Sequence, residues 1–130
     1  MDADVFLRDH LWAVLATSRR DGSPQQSMVG YVVDDEGRLV ISTKSHTAKW
    51  RNAVRAPQVS LAVADGRVHL VVYGEAEPID RDPERAELTA DVFARLSGGD
   101  RPDPESIVEL LDEQRRTVLR ITPTSTVFHE

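Results

Sequence analysis

Leu39-Val40-Ile41-Ser42-Thr43-Lys44-Ser45-His46-Thr47-Ala48-Lys49-Trp50-Arg51-Asn52 reads as a strand handing over to a helix. Leu39, Val40 and Ile41 form the apolar strand, and Pro57 ends the helix. Four hydroxyls (Ser42, Thr43, Ser45, Thr47) fall at the junction. So do Lys44 and Lys49, the only two lysines in the chain. The first turn of a helix has unpaired N–H groups and the positive end of the dipole, so it favours an anion. The segment therefore reads as a phosphate cradle. The competing reading is an ordinary capped helix, with Ser45 or Thr47 as N-cap and Lys49, Arg51 and Arg55 on a solvated face. Taken alone, the capped helix is the commoner arrangement. The rest of the chain shifts the balance.

A length of 130 residues suits one domain, 1–130, with a single core. No apolar run is long enough to span a membrane. Met1-Asp2-Ala3-Asp4 lacks a signal pattern, and there are no cysteines, which excludes disulfides and thiolate metal sites. These features point to the cytoplasm. The net charge of −6 opposes a nucleic-acid surface but allows a local cationic pocket. With 16 basic residues and two lysines, 14 are arginine, a bias typical of a GC-rich genome.

Outward from the cradle, the periodicities give a helix, three strands, a helix, two strands, two helices and one strand. Asp2 to His10 forms a short helix with Val5, Phe6 and Leu7 on its apolar side. Leu11 to Ser18 is apolar on both alternate faces, as in a strand buried on both sides, the outer one against another subunit. Gln25 to Val33 is the second strand, polar at its start and apolar at its end. Gly30 within it permits a bulge or a close approach. Arg38 to Thr43 delivers the cradle, and Trp50, Ala53 and Val54 form the buried stripe of the next helix. Gln58 to Ala64 and Arg67 to Glu77 flank the hairpin signal Asp65-Gly66. Asp82-Pro83 and Asp103-Pro104 start two helices. Thr117 to Thr122 is the sixth strand, interrupted by Pro123 and able to resume at Thr126-Val127-Phe128. Hairpin connections make the sheet antiparallel, and six strands in so small a domain close into a barrel that hides their edges.

No hydrolase elbow, P-loop, dinucleotide fingerprint or metal-ligand spacing is present. His10, His46, His69 and His129 are scattered, and His46 reads as an exposed loop residue. The sequence names no metal ligand. Tyr31, Tyr73 and His69 are possible proton carriers but are commoner as structural residues. Trp12 and Trp50 read as packing residues.

Leu15-Ala16-Thr17 with Asp21-Gly22-Ser23-Pro24-Gln25, Val40-Ile41-Ser42-Thr43 with Ala48-Lys49-Trp50-Arg51-Asn52, Pro57-Gln58-Val59-Ser60-Leu61 and Gly74-Glu75-Ala76 occur in a telling order. Together they resemble the pyridoxamine-phosphate-oxidase-like split-barrel superfamily, most of all its actinobacterial branch of small flavin- or deazaflavin-dependent oxidoreductases. The resemblance is good over residues 11 to 79 and weaker in the sixth strand. It implies a mainly β (α+β) fold, a six-stranded antiparallel split barrel with short helices. It also implies a homodimer with the cofactor at the interface and a small-molecule substrate. On this resemblance Ser42, Thr43, Thr47 and Lys49 bind the cofactor phosphate, with Lys44, or Arg51 if it turns inward, as the further cation. The ring lies along Gln26, Ser27, Met28 and Val29. The family often has an arginine two residues before the lysine; here that position is Thr47. The arginine and histidine that bind pyridoxal phosphate in the true oxidases are not recognisable, so vitamin B6 oxidation is not expected. F420 and FMN both fit. The lactyl-glutamyl tail of F420 wants a cationic groove, which Arg51 and Arg55 can line, and the arginine-rich composition leans to F420. The expected activity is hydride transfer to a small conjugated molecule. The rival readings are an FMN-dependent oxidoreductase, a non-catalytic flavin or F420 binder, a haem binder using His69 as the only strand histidine, and a dimer with an emptied site.

Overall fold

The computed structural model describes residues 1–130. Its elements are α1 (Ala3–Arg8), β1 (Trp12–Ser18), β2 (Pro24–Gly30), β3 (Val32–Val33), β4 (Leu39–Lys44), α2 (Ala48–Arg55), β5 (Gln58–Asp65), β6 (Val68–Ile79), α3 (Glu84–Ser97), α4 (Pro104–Glu113) and β7 (Arg116–His129). The fold is mainly β with short helices, and all strand pairs are antiparallel. There are seven strands where the sequence suggests six. The expected second strand breaks at Tyr31 into β2 and β3. Tyr31 leaves the ladder because its N–H bonds back to Leu11 O at 3.0 Å.

That break determines the architecture. The strand order is β2-β1-β5-β6-β7-β4-β3, so the two pieces of one continuous segment stand at opposite edges of the sheet. The sheet must curl until its edges meet at Tyr31. Beyond that meeting point β2 and β4 diverge, and this is the split of a split barrel. Over Pro24–Gly30, β2 pairs only with β1. On β4, only Leu39 and Val40 pair with β3, so Ile41–Lys44 has no ladder on that side. Two strand edges with unused backbone groups face one slot.

The barrel interior holds Leu15, Leu39, Ile41, Leu61, Val63, Leu70, Val72, Leu119 and Ile121, all essentially without exposure. Each such aliphatic side chain contributes roughly 1.5–3 kcal/mol through burial. Tyr31 is buried among them and donates its hydroxyl to Leu7 O at 2.6 Å, anchoring α1 over the barrel end. A second, smaller cluster (Val40, Ile79, Val92, Val118) lies outside β4 and β7, where α3 covers them.

Several details differ from the sequence expectation. β1 is buried on one side only; Trp12 is 54 % exposed, and Val14 and Ala16 are half-buried within the single chain. In α2 the buried residues are Trp50, Asn52 and Ala53, whereas Val54 is half exposed. The sheet offers a polar partner on that side, since Asn52 Nδ2 donates to the Thr17 hydroxyl at 3.2 Å. β7 runs through Pro123 without stopping. The register with β6 shifts between Tyr73 and Gly74, which absorbs the missing N–H. A Cβ at Gly74 would come within 2.6 Å of Thr122 O, so the close strand approach there requires glycine. α3 begins at Glu84, just after the expected Asp82-Pro83 start. The Asp82 carboxylate still accepts from Ala86 N at 3.0 Å and pairs with buried Arg85. No helix is long and apolar enough to cross a membrane.

Candidate functional site

The slot between β2 and β4 is a cavity of about 360 Å³. From β2 it is lined by Met28, Val29 and Gly30, and from β4 by Ser42, Thr43 and Lys44. Thr47 and Lys49 close it at the start of α2. Val92, Phe93 and Leu96 of α3 form an apolar wall, with Trp12 at the rim. α3 lies so close that a Cβ on Gly30 would clash with Leu96 at 2.4 Å. The helix after Asp82 therefore walls the site itself, a role that helical periodicity alone left open.

The two stretches singled out in the sequence meet here. Met28, Val29, Ser42, Thr43, Thr47 and Lys49 line one space. Gln26 and Ser27 lie further along β2 and do not reach it. Arg51 faces elsewhere: a helix turns about 100° per residue, so Lys49 and Arg51 point to different sides. Thr47 is the N-cap residue of α2, but its side chain makes no capping bond. Its hydroxyl donates to Lys44 O at 2.7 Å and lies 3.2 Å from the Thr43 hydroxyl. The capping role read for Ser45 or Thr47 is thus not made by the Thr47 side chain, and the first turn keeps its N–H groups for another acceptor.

No carboxylate, imidazole or phenol lines the cavity; its charged groups are Lys44, Lys49 and Arg116. Burial, and after it the neighbouring charges of Arg116 and Lys44, hold the Lys49 ammonium below the ordinary lysine value. The sequence reading missed Arg116, which β7 brings opposite Lys44. Only strand pairing across more than seventy residues creates that neighbourhood. Of the possible proton carriers, Tyr31 is buried outside the cavity, and burial pushes its hydroxyl up to about 12. Tyr73 and His69 are on β6 and do not line the site. His69 is not the only strand histidine. His129 on β7 stacks on it, with ring centroids 4.8 Å apart.

A second cleft, of about 440 Å³, flanks α2 on the side of Ala48, Arg51, Asn52 and Arg55. Arg19, Arg20, Asp21 and Gln25 complete it. Four guanidiniums converge there. The arginine–carboxylate pairs of the chain are made by Arg8, Arg38, Arg85, Arg101 and Arg120, none of them in this cleft. Its one acid, Asp21, accepts from the Ser23 hydroxyl at 2.6 Å and from Ser23 N at 3.0 Å. Arg55 is partly occupied, donating to Ser18 O and to Asn52 Oδ1.

The family model for pyridoxamine 5'-phosphate oxidase matches residues 2–129. The chain belongs to this family. Among solved structures, a conserved hypothetical protein from Mycobacterium tuberculosis superposes with a TM-score of 0.83 at 24% identity, covering 100% of this chain and 85% of that one. An F420 reductase superposes at 0.73 with 24% identity and 98% of both chains covered. An FMN-binding protein related to pyridoxamine 5'-phosphate oxidase, from Nostoc punctiforme, gives 0.67 at 17% identity, with 95% and 75% covered. These likenesses show the split-barrel fold that pyridoxamine 5'-phosphate oxidase relatives share. No curated protein sequence is similar enough to count as a relative.

Proposed function

We propose that this chain is a deazaflavin (F420)-dependent oxidoreductase acting on a small conjugated organic substrate. The observation that carries the choice is the arginine cleft beside the cavity, with α2 contributing to both. A ligand with a phosphate and an oligocarboxylate tail uses both spaces, whereas FMN uses only the cavity. The residues fit such a group. The cavity volume lies in the usual range for cofactor sites, and its cations lack acidic partners. Ser42, Thr43, Thr47 and Lys49 are placed to hold the phosphate. The unpaired edges of β2 and β4 offer backbone donors and acceptors to a ring edge. When bound, a deazaflavin supplies hydride transfer. The chain's own work is to orient and to exclude water, through Val29, Val92, Phe93 and Leu96. An acid–base constellation is not needed for that work, in keeping with a cavity without carboxylate or imidazole.

Side-by-side titration of purified protein with F420 and FMN tests this. F420 is expected to bind more tightly. Changing Arg20 and Arg51 together to alanine should weaken F420 roughly 5- to 10-fold and leave FMN unchanged, since each exposed ion pair contributes up to about 1 kcal/mol. Preference for FMN, with no effect of the arginines, moves the function to the flavin branch. Tight binding with no reducible substrate found leaves a carrier.

The same reading includes a homodimer. Met28, Val14, Ala62, Val71 and Val127 are paired in register across β2, β1, β5, β6 and β7. All point outward, and none is buried. The next row, Gln26, Ala16, Ser60, Tyr73 and Ser125, is also uncharged. Two adjacent uncharged rows across five strands are what a second copy covers, with Glu75 just beyond them on the same side of β6. It runs into the cavity at Met28, so the partner reaches the site. Val71→Asp should yield a monomer in analytical ultracentrifugation and lose cofactor affinity; a wild-type monomer at micromolar concentration overturns the dimer.

A further inference from the structure

Arg116 opens β7, opposite Lys44 and two residues after the turn at Gln114. Its guanidinium has three neighbours in the protein. Nε donates to Gln114 Oε1 at 3.1 Å, and Nη1 reaches the Ser42 hydroxyl at 3.5 Å. Its Cζ lies over the Phe93 ring, 5.9 Å from the centroid. Nη2 has no partner in the protein, and no carboxylate pairs with the group. In a chain with 22 acidic residues, this cation is held, oriented and left unneutralised in the cavity wall. Lys44 and Lys49 line the same cavity, and the three positive charges oppose one another without a counter-ion. The three therefore form a subsite for a multiply charged anion. Within it, arginine's rigid fork is the group suited to two oxygens of one phosphate, while each lysine acts as a point charge.

We infer that Arg116 is the bidentate phosphate-binding residue of this cavity, delivered from β7 and pre-aimed by Gln114 and Phe93. This rests on reading the cavity as a cofactor site. It explains why Phe93 and Gln114, neither in reach of the cradle by sequence, are placed as they are. It also predicts a separation between phosphate and ring. The phosphate-bearing ligands need Arg116, and the rings alone do not.

The test is fluorescence titration of wild type, Arg116→Ala and Arg116→Lys with four ligands: F420, FMN, riboflavin and the phosphate-free deazaflavin chromophore. Arg116→Ala should weaken F420 and FMN by about 10-fold or more. The two phosphate-free ligands should stay within about twofold of wild type. Arg116→Lys, which keeps the charge and loses the fork, should recover part of the affinity. It also decides the matter if the alanine variant fails to fold by circular dichroism. Unchanged F420 and FMN affinity in both variants overturns the assignment of Arg116 alone. So does an equal loss for phosphate-bearing and phosphate-free ligands, which marks a general packing role. A wild-type chain that binds none of the four overturns the cavity reading, and this inference with it.

Discussion

Lys49→Gln should lower the affinity for a phosphate-bearing flavin or deazaflavin by about 10- to 100-fold while making the ligand-free protein more stable. The two effects share one cause. Lys49 is a partly buried ammonium facing Arg116 and Lys44, with no acid lining the cavity. A charge-assisted hydrogen bond to phosphate contributes about 1.5–3 kcal/mol, which sets the loss in binding. Without the anion the same charge is unfavourable, since burial and then its cationic neighbours hold its pKa below 10.5. The unfolded chain binds that proton more tightly than the folded one. Stability of the ligand-free protein therefore rises as pH climbs from the depressed folded value toward 10.5, and charged Lys49 is a cost at neutral pH. Glutamine removes that cost. Thermal unfolding with and without F420 checks both signs. A variant less stable than wild type without ligand, or equally tight toward F420, contradicts the account.

Ile41→Ala should destabilise the protein by about 2–5 kcal/mol and lower the melting temperature by roughly 10 °C or more. Ile41 has no exposure and pairs in register with Leu119, also without exposure, in the barrel interior. The cavity left behind cannot be filled from β3, because the β3 ladder reaches only to Val40. Against a typical total of about 5–15 kcal/mol this is a large fraction. Ile41→Val, which removes one methylene, should cost only about 0.5–1.5 kcal/mol. Since Ile41 immediately precedes Ser42, the alanine variant should also weaken phosphate-bearing ligands. Urea unfolding of the three proteins gives the ranking, and similar midpoints for all three contradict the packing described.

Local structure, and the grouping of polar side chains at the strand-to-helix junction, can be read from the linear chain. Alternation in Gln58–Ala64, the Asp65-Gly66 turn and the helix starts at Asp82 and Asp103 depend on neighbours a few residues apart, so they are legible in a linear chain. The concentration of both lysines and four hydroxyls at one strand-to-helix junction is likewise a local fact. The break at Tyr31 was not legible, because its cause is a bond to Leu11 from another part of the chain. The same holds for Val54, whose helical spacing suits burial although the sheet below α2 presents Thr17 to Asn52 instead. Arg51 showed the limit most plainly: motif order placed it with Lys49, and the pitch of α2 turned it into a separate cleft. It takes the folded barrel to bring β2 and β4 face to face across a slot, to set α3 as its wall, and to join Arg116 to two lysines far from it in sequence. The pairing of strands distant in sequence leaves little mark on either strand alone, because every residue but proline offers the ladder the same backbone N–H and C=O. What chooses the partner is the closure of the whole barrel around its apolar interior.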